Sequence, residues 1–182
     1  MAEGPSRRVL PKGFPRERLK DMDPATIDNQ ELEIDPVESF GVMGTVMEVD
    51  PEEYRLRVQG LVERPLTFTF DEILELPQVE RTVLLICPGY FAYNAKWTGV
   101  DLWGLLQKAG LRPEAKRVAI YGADHFVYGF DLKEVKERRM LLAHRVNGVK
   151  LPTKHGRPLR LVAEGIYGER WVKYITRIEV LR

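Results

Sequence analysis

Arg81-Thr82-Val83-Leu84-Leu85-Ile86-Cys87-Pro88-Gly89-Tyr90-Phe91-Ala92-Tyr93-Asn94-Ala95-Lys96-Trp97-Thr98-Gly99 is an apolar strand, a turn and a stretch rich in rings, in that order. The run up to Cys87 has the composition of a buried strand, and Pro88-Gly89 ends it in a turn. Cys87 is the only cysteine in the chain. A strand thus delivers one soft thiol to a sheet edge, where it emerges among aromatic and polar side chains. Two readings are open: a small buried apolar residue, or a soft ligand or nucleophile.

On the N-terminal side, Tyr54-Arg-Leu56-Arg-Val58 and Leu66-Thr-Phe68-Thr-Phe70 alternate apolar with polar residues, as half-buried strands do, with Gly60 and Pro65 between them. Asp71 is placed to cap a short helix over 72–76, closed by Pro77. On the C-terminal side, the spacing from Leu102 to Ala109, stopped by Gly110, predicts an amphipathic helix. Strands are expected at 117–121 and 126–130, a second short helix at 132–139, and a tight hairpin turn at Asn147-Gly148. Further strands are expected at 159–162 and 175–180. Strands and short helices mix without a βαβ repeat, so the expected class is α+β with mixed sheets.

The 182 residues are 44% hydrophobic and 30% charged, enough for one domain with a substantial core. With 28 basic against 27 acidic residues, bulk charge does not point to nucleic acid or an anionic membrane as partner. No apolar run approaches the roughly 20 residues that span a bilayer. Ser6-Arg7-Arg8-Val9-Leu10 resembles a twin-arginine export signal, but charged residues follow where an apolar region would be needed, so a cytoplasmic location is expected. Residues 1–36 read as an irregular arm laid over the domain or partly disordered, and 37–182 as the domain itself.

Neither GxGxxG nor GxxxxGK[ST] occurs, which argues against nicotinamide and nucleoside triphosphate chemistry. The remaining chemistry lies in Cys87, three histidines and the cations of His155-Gly156-Arg157-Pro158-Leu159-Arg160 and Tyr167-Gly168-Glu169-Arg170-Trp171-Val172-Lys173. This patch is either an ordinary solvated edge or a phosphate pocket. In the second case Arg160 gives a bidentate fork, Lys173 a point charge and the loop its backbone amides.

Several pieces occur in one order: Leu61-Val-Glu-Arg-Pro65-Leu-Thr-Phe, the strand ending at Cys87, Trp97-Thr-Gly99-Val, Asn147-Gly148, His155-Gly-Arg-Pro158-Leu-Arg160, and Tyr167-Gly168 through Val172-Lys173. From about Tyr54 to Arg182 the chain resembles the molybdopterin-binding domain of the sulfite oxidase family, including small bacterial members and the molybdenum subunit of the periplasmic methionine sulfoxide reductase. The resemblance implies a sulfite oxidase-like fold and a molybdenum-molybdopterin cofactor. In it Cys87 is the thiolate on the metal, and the dithiolene of the pterin brings two further sulfurs. His155 and Arg160 match pterin and phosphate contacts. Trp171 and Val172 match a stretch that holds the pterin through its backbone, with Lys173 facing the phosphate. Where the family often has a small hydroxyl residue before an Asp-Gly pair, this chain has Gly122 and His125. Tyr90 and His125 are secondary candidates for catalysis.

The expected function is oxygen-atom transfer on a small molecule. Sulfite oxidases surround their metal with arginines, whereas Pro88, Gly89, Tyr90 and Phe91 follow Cys87 here, which suits a neutral sulfoxide-like substrate better than sulfite. One cysteine cannot build an iron–sulfur cluster and there is no CxxCH, so a separate electron-transfer protein or reductase subunit is implied. Two readings from other classes stay open. One is a non-catalytic module that kept the fold for binding, and the other is a cysteine hydrolase using Cys87 with His125 or His155 as base. His144 reads as a structural histidine, and Glu164 has no assigned role.

Overall fold

The computed structural model describes residues 6–182. In chain order its elements are β1 (Arg8–Val9), α1 (Arg16–Leu19), β2 (Ile27–Asp28), β3 (Arg55–Gly60), β4 (Leu66–Thr69), α2 (Phe70–Glu75), β5 (Gln78–Cys87), β6 (Phe91–Asp101), α3 (Leu102–Ala109), β7 (Arg117–Gly122), β8 (Val127–Asp131), α4 (Leu132–Glu137), β9 (Leu141–Val146), β10 (Val149–Lys150), β11 (Arg160–Val162) and β12 (Ile175–Leu181). One five-stranded sheet runs β10-β9-β6-β5, with β11 also on β9, and its pairs are all antiparallel. The other runs β4-β3-β12-β7-β8 and is mixed, because β3 and β12 lie parallel. The class is therefore α+β with mixed sheets and short helices. Trp97, Leu85 and Leu142 of the first sheet share one core with Val58, Val118 and Ile178 of the second.

The unbroken apolar run of β5 has a plain cause. Val83, Leu85 and Cys87 face that shared core, while Leu84 and Ile86 face a second cluster made by Leu10, Phe14, Leu19, Ile27 and Leu32 of the N-terminal arm. A strand covered on both faces shows no alternation. The arm is pinned as well as packed. Arg16 Nε lies 2.8 Å from an Asp35 carboxylate oxygen, Asp35 accepts from the Asn94 backbone N–H at 2.7 Å, and Asn29 donates to the Asn94 side chain at 2.7 Å. Residues 1–5 of the expected arm lie outside the described residues.

Several local expectations shift. The ring-rich stretch after the turn, Tyr90 to Gly99, falls from Phe91 onward in the strand β6, paired residue by residue with β5 from Cys87↔Phe91 to Gln78↔Val100. The cap of α2 is Thr69 instead of Asp71. The Thr69 hydroxyl accepts from Glu72 N, and the Glu72 carboxylate accepts from Thr69 N, a reciprocal arrangement worth about 1 kcal/mol. α4 stops at Glu137, before the expected 139, and Arg139 turns with φ +47° into β9, a strand that the pattern did not signal. Asn147-Gly148 does form the β9–β10 turn, with φ +49° and +78°. Asn147 Oδ1 also accepts from Lys96 N at 2.9 Å, which ties the turn to β6.

Candidate cofactor site

β5 ends at Cys87, and the chain reverses through Pro88-Gly89 so that Tyr90 N donates back to the Cys87 carbonyl at 3.0 Å. The sulfur reaches a cavity of about 250 Å³ walled by Met43, Leu85, Phe91, Tyr93, His155, Arg160, Glu169, Trp171 and Lys173, among others. Cys87 is 5% exposed, and its Sγ lies 3.1 Å from Met43 Sδ. Burial pushes the thiol pKa up, and the Glu169 carboxylate adds to it, so a metal taking this sulfur must displace a proton.

Two glycines set the wall on either side of the sulfur. Gly41 lies against the Phe91 ring so closely that a Cβ there would sit 2.2 Å from a ring carbon, which lets the segment 41–44 lie flat over the start of β6. Gly168 lies against Leu85, where a Cβ would come within 2.7 Å of a methyl group. Leu85 and Cys87 share a face of β5, so Gly168 seats the 3-10 turn Gly168–Arg170 against the strand that carries the cysteine.

His155 closes the turn Thr153–His155 and is almost fully buried, with its ring edge against Phe40. Its Nε2 has no hydrogen-bond partner. Burial, assisted by Arg160, Lys154 and Lys173, pushes its pKa down to about 4, so the ring is neutral at pH 7. Arg160 opens β11 with its guanidinium over both Trp97 and Trp171, 5.2 and 5.6 Å from the ring centroids, the two indoles themselves packing edge to face at 5.9 Å. It donates to the carbonyls of His155 and Leu161, and among the described residues no carboxylate pairs with it. Burial pushes its pKa down too. Lys173 donates to the Met43 carbonyl at 2.8 Å, and burial followed by Arg160 lowers its pKa.

Cys87, His155, Arg160, Trp171 and Lys173 therefore meet at one cavity. Val172 is buried behind it, its carbonyl accepting from Leu161 N at 2.8 Å. Tyr90 and His125 are not brought there. Tyr90 is 68% exposed at the tip of the β5–β6 turn, and His125, with φ +67°, is exposed between the lining residues Asp124 and Phe126. His144 is structural, its Nε2 bonded to Gln78 Oε1 at 2.7 Å, and Glu164 pairs with Arg7. Sequence reasoning missed Met43, Asp124, Lys154 and Glu169 as wall residues. Only the glycines bracketing Val42-Met43 hinted that this segment lies close against something.

The family model described as the oxidoreductase molybdopterin binding domain matches residues 43–182. The chain belongs to that family. It is 30% identical over 169 residues to a nitrate reductase [NADPH] of Aspergillus niger, covering 78% of this chain and 20% of the relative. It is 31% identical over 160 residues to the mitochondrial sulfite oxidase of Drosophila melanogaster, covering 72% and 28%. Among solved structures it matches the sulfane dehydrogenase SoxCD of Paracoccus pantotrophus with a TM-score of 0.70 and 32% identity, over 74% of this chain and 40% of that one. The chain thus spans about a fifth to two fifths of the length of these relatives.

The cofactor of this family is molybdopterin, and the residues present fit it. One soft sulfur stands at the cavity wall, as suits a metal whose other donors come with the cofactor. Among the described residues no group of three His, Cys, Asp or Glu could hold an ion by itself. The unpartnered His155 Nε2 and the unpaired Arg160 are buried polar groups of the kind that a ligand's ring edge and phosphate satisfy. No helix among the described residues is long and apolar enough to cross a membrane.

Proposed function

We propose that this chain is the cofactor-bearing part of an oxidoreductase that transfers an oxygen atom to or from a small uncharged acceptor of the sulfoxide type. The observation that carries the choice of substrate is the surroundings of Cys87. Leu85, Met43, Phe91 and Tyr93 stand around the sulfur, and the charge acting on its thiol is the carboxylate of Glu169. Dianions such as sulfite gain nothing from such a wall, whereas a polar but neutral molecule is accommodated by it.

When bound, the molybdenum of the cofactor supplies two-electron redox chemistry and a site for oxygen transfer. The protein's part is to hold and shape. Cys87, at the end of a strand buried on both faces, would be the one protein ligand of the metal. Arg160, packed over two indoles and bonded to the carbonyls of His155 and Leu161, would present its fork to the phosphate, and Lys173 would add a point charge. His155 is neutral at working pH, so it meets the pterin as a hydrogen-bonding group without adding a third charge. Electrons are exchanged with a redox centre outside these 182 residues, a partner protein or subunit being the favoured reading, since they hold one cysteine and no haem-attachment motif.

The test is turnover by molybdenum-loaded protein. Oxidation of reduced viologen by dimethyl sulfoxide, methionine sulfoxide and nitrate is compared with sulfite-dependent reduction of ferricyanide. The expected outcome is a kcat/KM for a neutral sulfoxide at least ~10-fold above those for the two anions, a difference of about 1.4 kcal/mol in barrier. Preference for sulfite or nitrate would overturn the choice of substrate.

A further inference from the structure

We infer that Glu169 is the specificity-determining residue of this site, a fixed negative charge at the cavity mouth that turns anions away from the Cys87 sulfur and admits neutral and cationic oxygen acceptors. The inference rests on the functional reading above and names the residue responsible for it. Its basis is placement. Glu169 is the central residue of the turn Gly168–Arg170, and Gly168 is pressed against Leu85, on the same face of β5 as Cys87. The turn is closed by Trp171, whose backbone N–H donates to the Gly168 carbonyl at 3.0 Å and whose indole N–H donates to Ile166 O at 3.0 Å. Glu169 thereby lines the same cavity as Cys87 while remaining exposed to solvent.

Among the described residues no cation lies within ion-pair distance of Glu169. Two of the cavity's cations are engaged elsewhere, with Lys173 on the carbonyls of Met43 and Lys154, and Arg160 over the two tryptophans. The lining holds the cations Arg160, Lys154 and Lys173 together with two carboxylates, of which Asp124 acts on Lys173 and Glu169 stands on the turn packed against the strand of Cys87. An exposed carboxylate acts through water, so its effect on an approaching ion is modest and fades as salt rises past a Debye length of about 10 Å at 0.1 M.

Cys87 is the chain's only thiol and can report that field directly. Cofactor-free protein is alkylated with neutral iodoacetamide and with anionic iodoacetate at low ionic strength, and the ratio of the two rates is compared with that of a free small-molecule thiol. The ratio cancels any change in the thiol's own pKa, since both reagents attack through the same thiolate. The expected result is extra discrimination against iodoacetate of at least about threefold in the parent. Most of it is lost in Glu169→Gln and at high salt, and all of it is kept in Glu164→Gln, whose carboxylate pairs with Arg7. Equal ratios in the parent and Glu169→Gln would overturn the inference. Because the readout needs neither cofactor nor turnover, it stands or falls apart from the substrate assay.

Discussion

His155 sits neutral in a cavity wall that also holds Arg160 and Lys173, and its folded pKa of about 4 lies below the ordinary 6.5. Between those two values the unfolded chain takes up a proton that the folded chain refuses, so stability falls as pH drops through this window and the loss is complete below it. The slope contributed by one such group is at most about 1.4 kcal/mol per pH unit. Denaturant unfolding of cofactor-free protein at pH 7 and pH 4.5 is therefore predicted to show a larger loss of stability in the parent than in His155→Asn. Equal losses would mean that this histidine charges freely in the folded state. Arg160 makes the converse point. A buried guanidinium without a carboxylate pays desolvation that a bound phosphate would offset. Arg160→Met keeps an unbranched stem against Trp97 and Trp171 and removes the charge. The predicted result is cofactor-free protein that melts at or above the parent temperature but retains at least ~10-fold less molybdenum. A large drop in melting temperature would instead make the two hydrogen bonds from Arg160 structural.

At the scale of elements, the hairpin β5–β6 and the segment 41–44 hold the sulfur between them. Met43 covers Cys87 at 3.1 Å and is itself held by Lys173 through its carbonyl. In cofactor-free protein Met43→Ala should react with iodoacetamide several-fold faster at Cys87, followed by mass spectrometry. An unchanged rate would show that the thiol is shielded by the strand end alone. The two halves of this arrangement were unequally legible. The apolar run of β5 and its terminal cysteine could be read directly, as could helix α3 and the Asn147-Gly148 turn. β6 could not, because it lies between β5 and β9 and its burial does not alternate, which leaves no period-2 signal. β9 was hidden for the same reason, with five of its six residues buried. Thr69 lost out to Asp71 because both are good caps, and only the reach of Glu72 back to Thr69 decides between them. Cys87, His155, Arg160 and Lys173 were legible as residue types in a family order. Met43 and Glu169 were not, since an exposed methionine and an exposed carboxylate acquire meaning only from what the fold sets beside them.

Across the whole molecule, the site is built where chain segments distant in sequence converge, from residues 41–44, β5 and β6, the turn at 153–155, β11 and the loop 168–173. The described part of the N-terminal arm adds no lining residue, but it seals the far face of β5 with Leu10, Phe14, Leu19, Ile27 and Leu32, and so stiffens the strand that carries Cys87. The central claim is that this strand delivers the metal's one protein ligand. Its most direct test is molybdenum content by plasma mass spectrometry, for parent and Cys87→Ser purified side by side from a host that makes molybdopterin. The account predicts close to one metal per chain in the parent and a large loss in Cys87→Ser, with matching circular dichroism. Equal molybdenum in both proteins, or none in the parent, would contradict it.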